Sequence, residues 1–400
     1  MSFFMQNIEF FIFIAFLAIF LIIKRKKVEI QGSFPILYML LYKTTWGLDK
    51  MKSWSEKFPK TFLYLGYYAI FVGVVGMIAM LGLMFWQLGF IIDNNLSSGG
   101  GFVLPIQTES GMESAVPVFY VPFWYWLIAL AILATVHEFA HGVIAQRFKI
   151  KIKSSGFAFL GILAPILPAA FVEPDQKQMA KKPKWQQISV LGAGSASNFL
   201  FGIFFFLLWI LVAGPFLEKT QDLSQISFSS TMNQSSLYEH NITNGTILNF
   251  NGFENSRDIL TQFSNISINN TYDLSVNSSG EIKSISITPF LDESTNRTLI
   301  GLSNLDFKLE PKSGFEWLGS IPLKLERLLF WIWILNIGIG MMNLLPIWIT
   351  DGGQIARILF SYRFSEKVSA SLTNYISLVS LILIIFTIKP SLLISLLGFF

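Results

Sequence analysis

The sequence contains no cysteine, only three histidines and few charged side chains. The absence of cysteine excludes disulfides, thiolate catalysis and zinc sites built on sulfur. Charged residues make up 14% of the 400 positions, whereas 52% are apolar and 40 are phenylalanine. Such a composition indicates that lipid is the main solvent of the chain. The formal net charge of +4 is better explained by membrane topology than by nucleic-acid binding, and no nucleic-acid partner is expected.

Six segments are apolar and near the roughly 20 residues that cross a bilayer: 7–23, 62–91, 121–147, 186–214, 328–349 and 367–388. Lysine and arginine are concentrated after the first, third and fifth of them, which predicts that those loops are cytoplasmic. Both termini and the long segment 217–318 are then predicted to be outside. The eight Asn-x-Ser/Thr sequons of the chain, from Asn95 to Asn296, all lie in segments that this topology places outside.

The chain is therefore predicted to be an α-helical polytopic protein of the cell membrane with one small extracytoplasmic domain, residues 217–318. Within that domain, 246–252 has the pattern of a strand that runs into a turn, 256–263 that of a short helix, and 282–289 that of a half-buried strand. The outer domain is thus predicted to be rich in β-structure. Three membrane regions surround it in the sequence: 1–120 with two spans, 121–216 and 319–400.

Two further apolar segments do not fit simple spans. Residues 156–172 are interrupted by Gly161, Pro165 and Pro168, and non-helical backbone at membrane depth is tolerated only where protein or a water-filled cavity satisfies it. This segment is predicted to be a re-entrant element or a β-hairpin beside the functional site. Residues 34–42 are predicted to form a second such element or an interfacial helix.

One motif is typical of metal chemistry: His137-Glu138-Phe139-Ala140-His141, near the predicted cytoplasmic end of the third apolar segment. Helix residues four apart share a face, so both imidazoles can bind one metal ion. The glutamate beside them can then polarise a water molecule. Ionisable groups in an apolar membrane segment are costly, which makes these side chains functional candidates.

A catalytic zinc usually has three protein ligands, so a third is needed. His240 lies in the predicted outer domain and is rejected, and Glu173 and Asp175 lie in charged, solvated sequence. Asp351 follows an apolar stretch at the same predicted inner boundary as the two histidines, and two glycines follow it. Asp351 is therefore the preferred third ligand. The alternative for this residue is an ordinary helix cap.

Three motifs and their order resemble the site-2 protease family of intramembrane zinc metalloproteases. They are His137-Glu138-x-x-His141, Gly194-x-x-x-Asn198, and Asn343-x-x-Pro346 followed by Asp351-Gly352. Segment 170–175 and the outer domain, which is similar to the PDZ-like insert of these proteases, extend the resemblance over residues 120–390. Trp348 and Thr350 depart from the pattern, since the family usually has Pro and Leu there.

The resemblance implies a role for each motif. The implied ligands of one Zn²⁺ are His137, His141 and Asp351, and the implied general base is Glu138. Asn198 and Asn343 would contact the substrate or the developing oxyanion, or else pack between helices. For Asn336, on the same helix face as Asn343, packing is the preferred interpretation. Residues 121–216 and 319–400 then form the two parts of a catalytic core.

The implied function is regulated intramembrane proteolysis. The chain would hydrolyse a peptide bond in or near a transmembrane helix of another membrane protein, and its PDZ-like domain would bind substrate tails. Two alternatives stay open at this point. A catalytically silent scaffold does not explain why Glu138 is intact, and a metal transporter often shows paired repeats, which the sequence does not contain.

Overall fold

The computed structural model describes residues 3–33, 37–94, 98–106, 118–162, 164–232, 235–268, 270–292 and 297–393. The chain divides into two compact units. The first, here called the membrane unit, consists of Met1–Leu208 and Arg327–Phe400. The second, the β-rich unit, is Trp209–Glu326. The predicted outer domain, 217–318, falls inside the β-rich unit, and its boundaries stay a prediction.

Five helices among the described residues are long and apolar enough to cross a membrane: Pro59–Asp93, Phe123–Arg147, Lys184–Thr220, Ile321–Met342 and Glu366–Ile388. They overlap five of the six predicted spans and are those of an integral membrane protein. The span predicted at 328–349 is the helix Ile321–Met342, so residues 343–349 lie in the loop after it. The first predicted span forms the helix Ile8–Ile23, which has 16 residues. Its length of roughly 24 Å is shorter than a hydrocarbon core of about 30 Å. The count of six spans and the sidedness of the loops therefore stay predictions.

Four helices position the candidate site: α1 (Phe123–Arg147), α2 (Lys184–Leu208), α3 (Ile321–Met342) and α4 (Asp351–Phe360). The other helices of the membrane unit are Phe3–Gln6, Ile8–Ile23, Leu48–Lys57, Pro59–Asp93, Gln176–Ala180 and Glu366–Ile388. Small residues let α2 pack closely against the helix Pro59–Asp93. A Cβ atom at Gly192 would lie 2.2 Å from the Ala69 carbonyl oxygen, and Ser189 Oγ donates a hydrogen bond to the Gly66 carbonyl at 3.0 Å. This contact fixes the face that α2 turns toward α1.

The membrane unit also contains a four-stranded antiparallel sheet. Its strands are β1 (Val28–Ser33), β2 (Leu37–Thr44), β3 (Ile152–Ile162) and β4 (Ala164–Pro174), and they pair in that order. β2 approaches β3 closely because Gly156 has no side chain; a Cβ atom there would lie 2.0 Å from the Tyr42 carbonyl oxygen. In this strand order, β4 lies at one edge of the sheet. Two short strands, Phe102–Leu104 and Val118–Tyr120, pair separately in parallel.

The β-hairpin predicted at 156–172 is confirmed, since β3 and β4 form it; residue 163 lies outside the described residues. The described part of segment 34–42 is strand β2, so the interfacial-helix interpretation of that part is wrong. Pairing with β1 and β3 supplies the backbone hydrogen bonds that a helix would have made internally. Residues 34–36 lie outside the described residues.

The β-rich unit is built on a five-stranded antiparallel sheet. In spatial order its strands are Glu281–Ile287, Tyr272–Ser278, Gly245–Phe250, Gln221–Thr231 and Leu302–Pro311. The other elements are strands Phe290–Asp292 and Arg297–Leu299 and helices Gly214–Thr220, Ser236–Glu239 and Ser256–Phe263. Phe250 and Ile259 are among the residues buried in its core. The predicted strand at 246–252, helix at 256–263 and strand at 282–289 are confirmed; the PDZ-like character of the unit stays a prediction.

Candidate metal centre

Helix α1 brings His137 and His141 together on one face. The two residues are separated by four positions, and their ring centroids are 4.7 Å apart. Both side chains are buried within a helix whose composition suits a membrane span. Two imidazoles converging in such surroundings need a partner for their ring nitrogens, because an unpaired polar group is costly where water is excluded.

Asp351 brings a carboxylate close to both imidazoles from the first turn of α4. Its Oδ2 atom lies 3.3 Å from Nε2 of His137 and 3.3 Å from Nε2 of His141. The same oxygen is buried and has no hydrogen-bond partner among the described residues. Four-coordinate zinc with bonds of about 2.0–2.1 Å has ligand atoms roughly 3.3–3.4 Å apart along each tetrahedral edge. The two N–O separations therefore fit three ligands of one tetrahedral cation.

The loop before α4 explains why Asp351 is free to point at the histidines. Thr350, and not Asp351, caps the helix: its Oγ1 accepts from the Gly353 amide at 3.3 Å and donates to the Leu345 carbonyl at 2.6 Å. The helix-cap interpretation of Asp351 is therefore not what the structure shows. The departure at Thr350 from the family pattern thus has a structural role in shaping this loop.

The two glycines after Asp351 allow the loop to fold back against the helix start. A Cβ atom at Gly352 would lie 2.1 Å from the Leu344 carbonyl oxygen, and one at Gly353 would lie 1.9 Å from the Ile347 carbonyl oxygen. The Gly352 amide donates to the Asn343 carbonyl at 2.9 Å. Asn343 thus closes the loop through its backbone, and it also lines the site cavity. The contact of its side chain with a substrate stays a prediction.

One histidine has a hydrogen bond that fixes which ring nitrogen faces Asp351. Nδ1 of His141 lies 2.6 Å from the Val190 carbonyl oxygen on α2. A carbonyl oxygen only accepts, so Nδ1 carries a proton, and in the neutral imidazole Nε2 then has its lone pair on the side of Asp351. This is the usual arrangement of an imidazole that ligates a metal through Nε2.

Gly194 explains why the small-residue motif of α2 starts with glycine. A Cβ atom at this position would lie 2.4 Å from Nε2 of His137 and 2.4 Å from Nε2 of His141. Any side chain would therefore collide with the two ring nitrogens that face Asp351. Asn198, one turn further along α2, is fully buried with its amide nitrogen 3.1 Å from Nδ1 of His137. Asn198 thus contacts the side of His137 that faces away from Asp351.

Glu138 lies beside the histidines and is held by the hairpin. Its Oε2 atom accepts a hydrogen bond from the Val172 amide of β4 at 2.8 Å. Glu138, the two histidines and Asp351 line a cavity of about 410 Å³, whose other walls include residues 169–172 of β4. A carboxylate and three ligand-type side chains therefore line one cavity together with the edge strand β4. This arrangement can bind a metal, a water molecule and an extended peptide.

The three residues rejected as zinc ligands in the sequence analysis have hydrogen-bond partners outside the metal centre. Glu173 accepts from Ser154 Oγ at 2.6 Å. Asp175 caps the helix Gln176–Ala180 by accepting from the Gln178 amide at 3.0 Å, and this hydrogen bond holds the pKa of its carboxyl below the ordinary value. His240 belongs to the β-rich unit, where Nδ1 contacts the Ser236 carbonyl at 2.7 Å. These contacts agree with their omission from the predicted ligand set.

Val190 and Val172 were missed by sequence reasoning. Both act through backbone atoms, a carbonyl and an amide, so their side chains carry no signal of the role. The sequence shows Gly194 only as part of a motif. It does not indicate that the imidazoles of His137 and His141 lie where a Cβ atom of residue 194 would be.

Comparison with known proteins matches residues 125–387 to the family described as peptidase family M50. A protein named regulator of sigma E protease, from Haemophilus influenzae, is 29% identical over 225 residues, which cover 50% of this chain and 47% of that protein. An uncharacterized protein of Methanocaldococcus jannaschii is 37% identical over 108 residues, 25% of this chain and 28% of that protein. The chain therefore aligns with less than half the length of either curated relative. The family match spans well over half of the chain and includes the histidine pair, Glu138 and Asp351, so this chain belongs to peptidase family M50, the site-2 protease family of membrane metallopeptidases.

Proposed function

We propose that this protein is a zinc-dependent intramembrane endopeptidase that hydrolyses a peptide bond in or near a transmembrane helix of another membrane protein. The observation that carries the proposal is the position of Asp351 Oδ2, 3.3 Å from Nε2 of both His137 and His141 and with no hydrogen-bond partner in the described part of the chain. Two imidazoles and one carboxylate are a known donor set for catalytic zinc, which keeps its fourth position open.

A zinc ion held there would polarise the scissile carbonyl and lower the pKa of water. Glu138 is the general base in this proposal, because its carboxylate lines the same cavity as the ligands. It takes a proton from the attacking water, whose oxygen forms a bond to the carbonyl carbon. As the C–N bond breaks, the carboxylic acid of Glu138 returns that proton to the leaving amine nitrogen. Only the peptide and water are consumed.

Strand β4 is the proposed platform for the substrate backbone. Its Val172 amide points away from β3, since it donates to Glu138. Backbone groups alternate in direction along an antiparallel strand, so Pro168, Ala170 and Pro174 share this free edge with Val172. A peptide bond inside a helix is shielded by the helix's own hydrogen bonds, and an unwound segment could instead pair with β4 by strand addition.

An apolar substrate is supported by a second cavity, of about 340 Å³, on the same wall. Ala169 and Ala170 line both this cavity and the one with the histidines. Its other walls are side chains of the helix Ile8–Ile23, of α1 and of β3, nearly all of them Phe, Leu or Ala. Apolar side chains flanking a scissile bond would find a matching environment there.

The proposal predicts that purified protein contains about one zinc per chain and cleaves a membrane-spanning test peptide only while zinc is bound. Metal analysis and a cleavage assay in detergent or vesicles, with a chelator and then with restored zinc, would measure both. Asp351→Ala should lose the metal, because two histidines then remain as ligands. Bound zinc without cleavage of any spanning peptide would favour the silent scaffold instead.

The hydrogen bond between Val172 and Glu138 predicts a kinetic difference between two proline variants. Val172→Pro removes the amide that orients Glu138, and the fold should tolerate it, because Pro168 and Pro174 already occupy the same edge of β4. A hydrogen bond to a charged group is worth about 1.5–3 kcal/mol, so kcat should fall roughly 10- to 100-fold, with zinc content unchanged.

Ala170→Pro is the matched control on the same edge. It removes an amide that is available to a substrate strand and leaves the Val172 amide in place, so we expect a higher KM with little change in kcat. Equal kinetic effects of the two variants would argue against a separate role of Val172 in orienting Glu138.

A further inference from the structure

We infer that Asn198 is a positioning residue for His137: its side-chain oxygen accepts a hydrogen bond from Nδ1–H and so keeps Nε2 available as a metal ligand. This inference rests on the proposed metal site. It assigns Asn198 a task other than touching substrate or filling space between helices.

The polar atoms around Asn198 are the first observation. The side chain is fully buried, its Nδ2 lies 3.1 Å from Nδ1 of His137, and its Oδ1 has no hydrogen-bond partner within the residues that the structure describes. An amide nitrogen only donates, so in this orientation Nδ1 must accept and the ring proton must sit on Nε2. A protonated Nε2, facing Asp351, has no lone pair for a metal.

Rotation of the amide by 180° resolves this conflict. The nitrogen and oxygen of a carboxamide are nearly equal in size, and the hydrogen-bond network decides which is which. After rotation, Oδ1 of Asn198 faces Nδ1 of His137, Nδ1 carries the proton, and Nε2 is free. Either orientation leaves one end of the amide without a partner, so counting hydrogen bonds does not decide between them. Metal ligation by Nε2 of His137 decides the orientation, because only the rotated amide leaves Nε2 without a proton.

The second observation is the regular spacing of the contacts along α2. Val190, Gly194 and Asn198 are four residues apart and share one face of the helix. Val190 contacts Nδ1 of His141 through its carbonyl, Asn198 contacts Nδ1 of His137, and Gly194 leaves room for both Nε2 atoms. The carbonyl of Val190 can only accept. Asn198 has the corresponding position beside His137, so its side-chain oxygen is the acceptor there, as the Val190 carbonyl is for His141.

Asn336 on α3 offers a matched control for packing. It is also fully buried, its Oδ1 also lacks a hydrogen-bond partner, and its Nδ2 donates to the Ile332 carbonyl at 2.7 Å in its own helix. It packs against α2 at Gly202, one turn beyond Asn198. Removal of either amide perturbs the same helix pair, but only Asn198 contacts the ring of His137.

The experiment compares zinc affinity, by chelator competition at constant pH, in the unaltered protein and three variants. Asn198→Leu should bind zinc roughly 10- to 100-fold more weakly, the usual effect of losing the partner of a ligating histidine. Asn198→Asp, which keeps an acceptor, should bind at least as tightly as the unaltered protein. Asn336→Leu should bind zinc with unchanged affinity. Thermal unfolding of each variant reports any general loss of packing.

A second measurement reads the tautomer directly. The chain has only three histidines, so nitrogen-15 NMR of labelled imidazoles gives few signals, and His137→Gln identifies one of them. We expect His137 to carry its proton on Nδ1 in the zinc-bound protein and in Asn198→Asp. A proton on Nε2 would overturn the inference, as would equal zinc affinity of Asn198→Leu and Asn336→Leu. A protein that binds no zinc at all would overturn the proposed function first, and this inference with it.

Discussion

Gly194→Ala is expected to abolish metal binding while α2 remains folded. The added methyl carbon would lie 2.4 Å from Nε2 of both His137 and His141, a distance that forces the two rings away from Asp351. Alanine favours a helix over glycine by about 1 kcal/mol, so the loss cannot be attributed to a weaker helix. Zinc content should fall from about one ion per chain to none detectable, and cleavage should be lost with it.

Gly202→Ala is the control for this result. It lies two turns further along α2, and its added Cβ would meet Cδ1 and Cγ1 of Ile337 at 2.6 and 2.8 Å. Both atoms belong to one isoleucine side chain, which has to shift, and neither belongs to the histidine pair. We expect normal zinc content in this variant. If Gly194→Ala binds zinc as tightly as Gly202→Ala does, the three proposed ligands do not converge on one ion.

Glu138→Gln should lower the rate of peptide cleavage by roughly 10²- to 10⁴-fold, the usual contribution of a general base, while zinc remains bound. The amide oxygen of glutamine can still accept from the Val172 amide, so the position of the side chain is largely kept. What is lost is the ability to take a proton from water. Initial rates and zinc content should be measured on the same preparation.

Glu173→Gln supplies the comparison for the general base. This carboxylate belongs to the same strand as Val172, but it contacts Ser154 and not the metal ligands. Its neutralisation should leave the rate nearly unchanged. Full activity of a zinc-loaded Glu138→Gln protein would remove Glu138 from the mechanism and leave the ligand set standing.

The ligand-type side chains could be predicted from the sequence because their signals are local. The spacing of His137 and His141 places both on one helix face whatever surrounds them, and Asp351 is marked by the apolar run before it and the glycines after it. The hairpin at 156–172 was predictable for a similar reason, since Pro165 and Pro168 exclude a continuous helix.

The partners of these side chains could not be predicted, because they depend on how helices are rotated against one another. The sequence is equally consistent with an Asn198 that faces a substrate or α3. The packing of α2 on α1 turns it toward His137. The choice between a ligand and a helix cap for Asp351 was also open, because an aspartate at the start of a helix often caps it. The loop that returns from Leu345 decides it through hydrogen bonds that no sequence pattern shows.

The prolines of β4 limit how long a guest strand can be. On the edge that faces the cavity, Pro168 and Pro174 have no amide hydrogen and the Val172 amide is bound to Glu138, so Ala170 alone of these four residues can offer one. A peptide paired there needs to lose only about one turn of helix, or three to four residues. Each hydrogen bond formed contributes roughly 0.5–1.5 kcal/mol, so cleaved ends would be held weakly. The same interruption disfavours edge-to-edge pairing of two copies of the protein through β4.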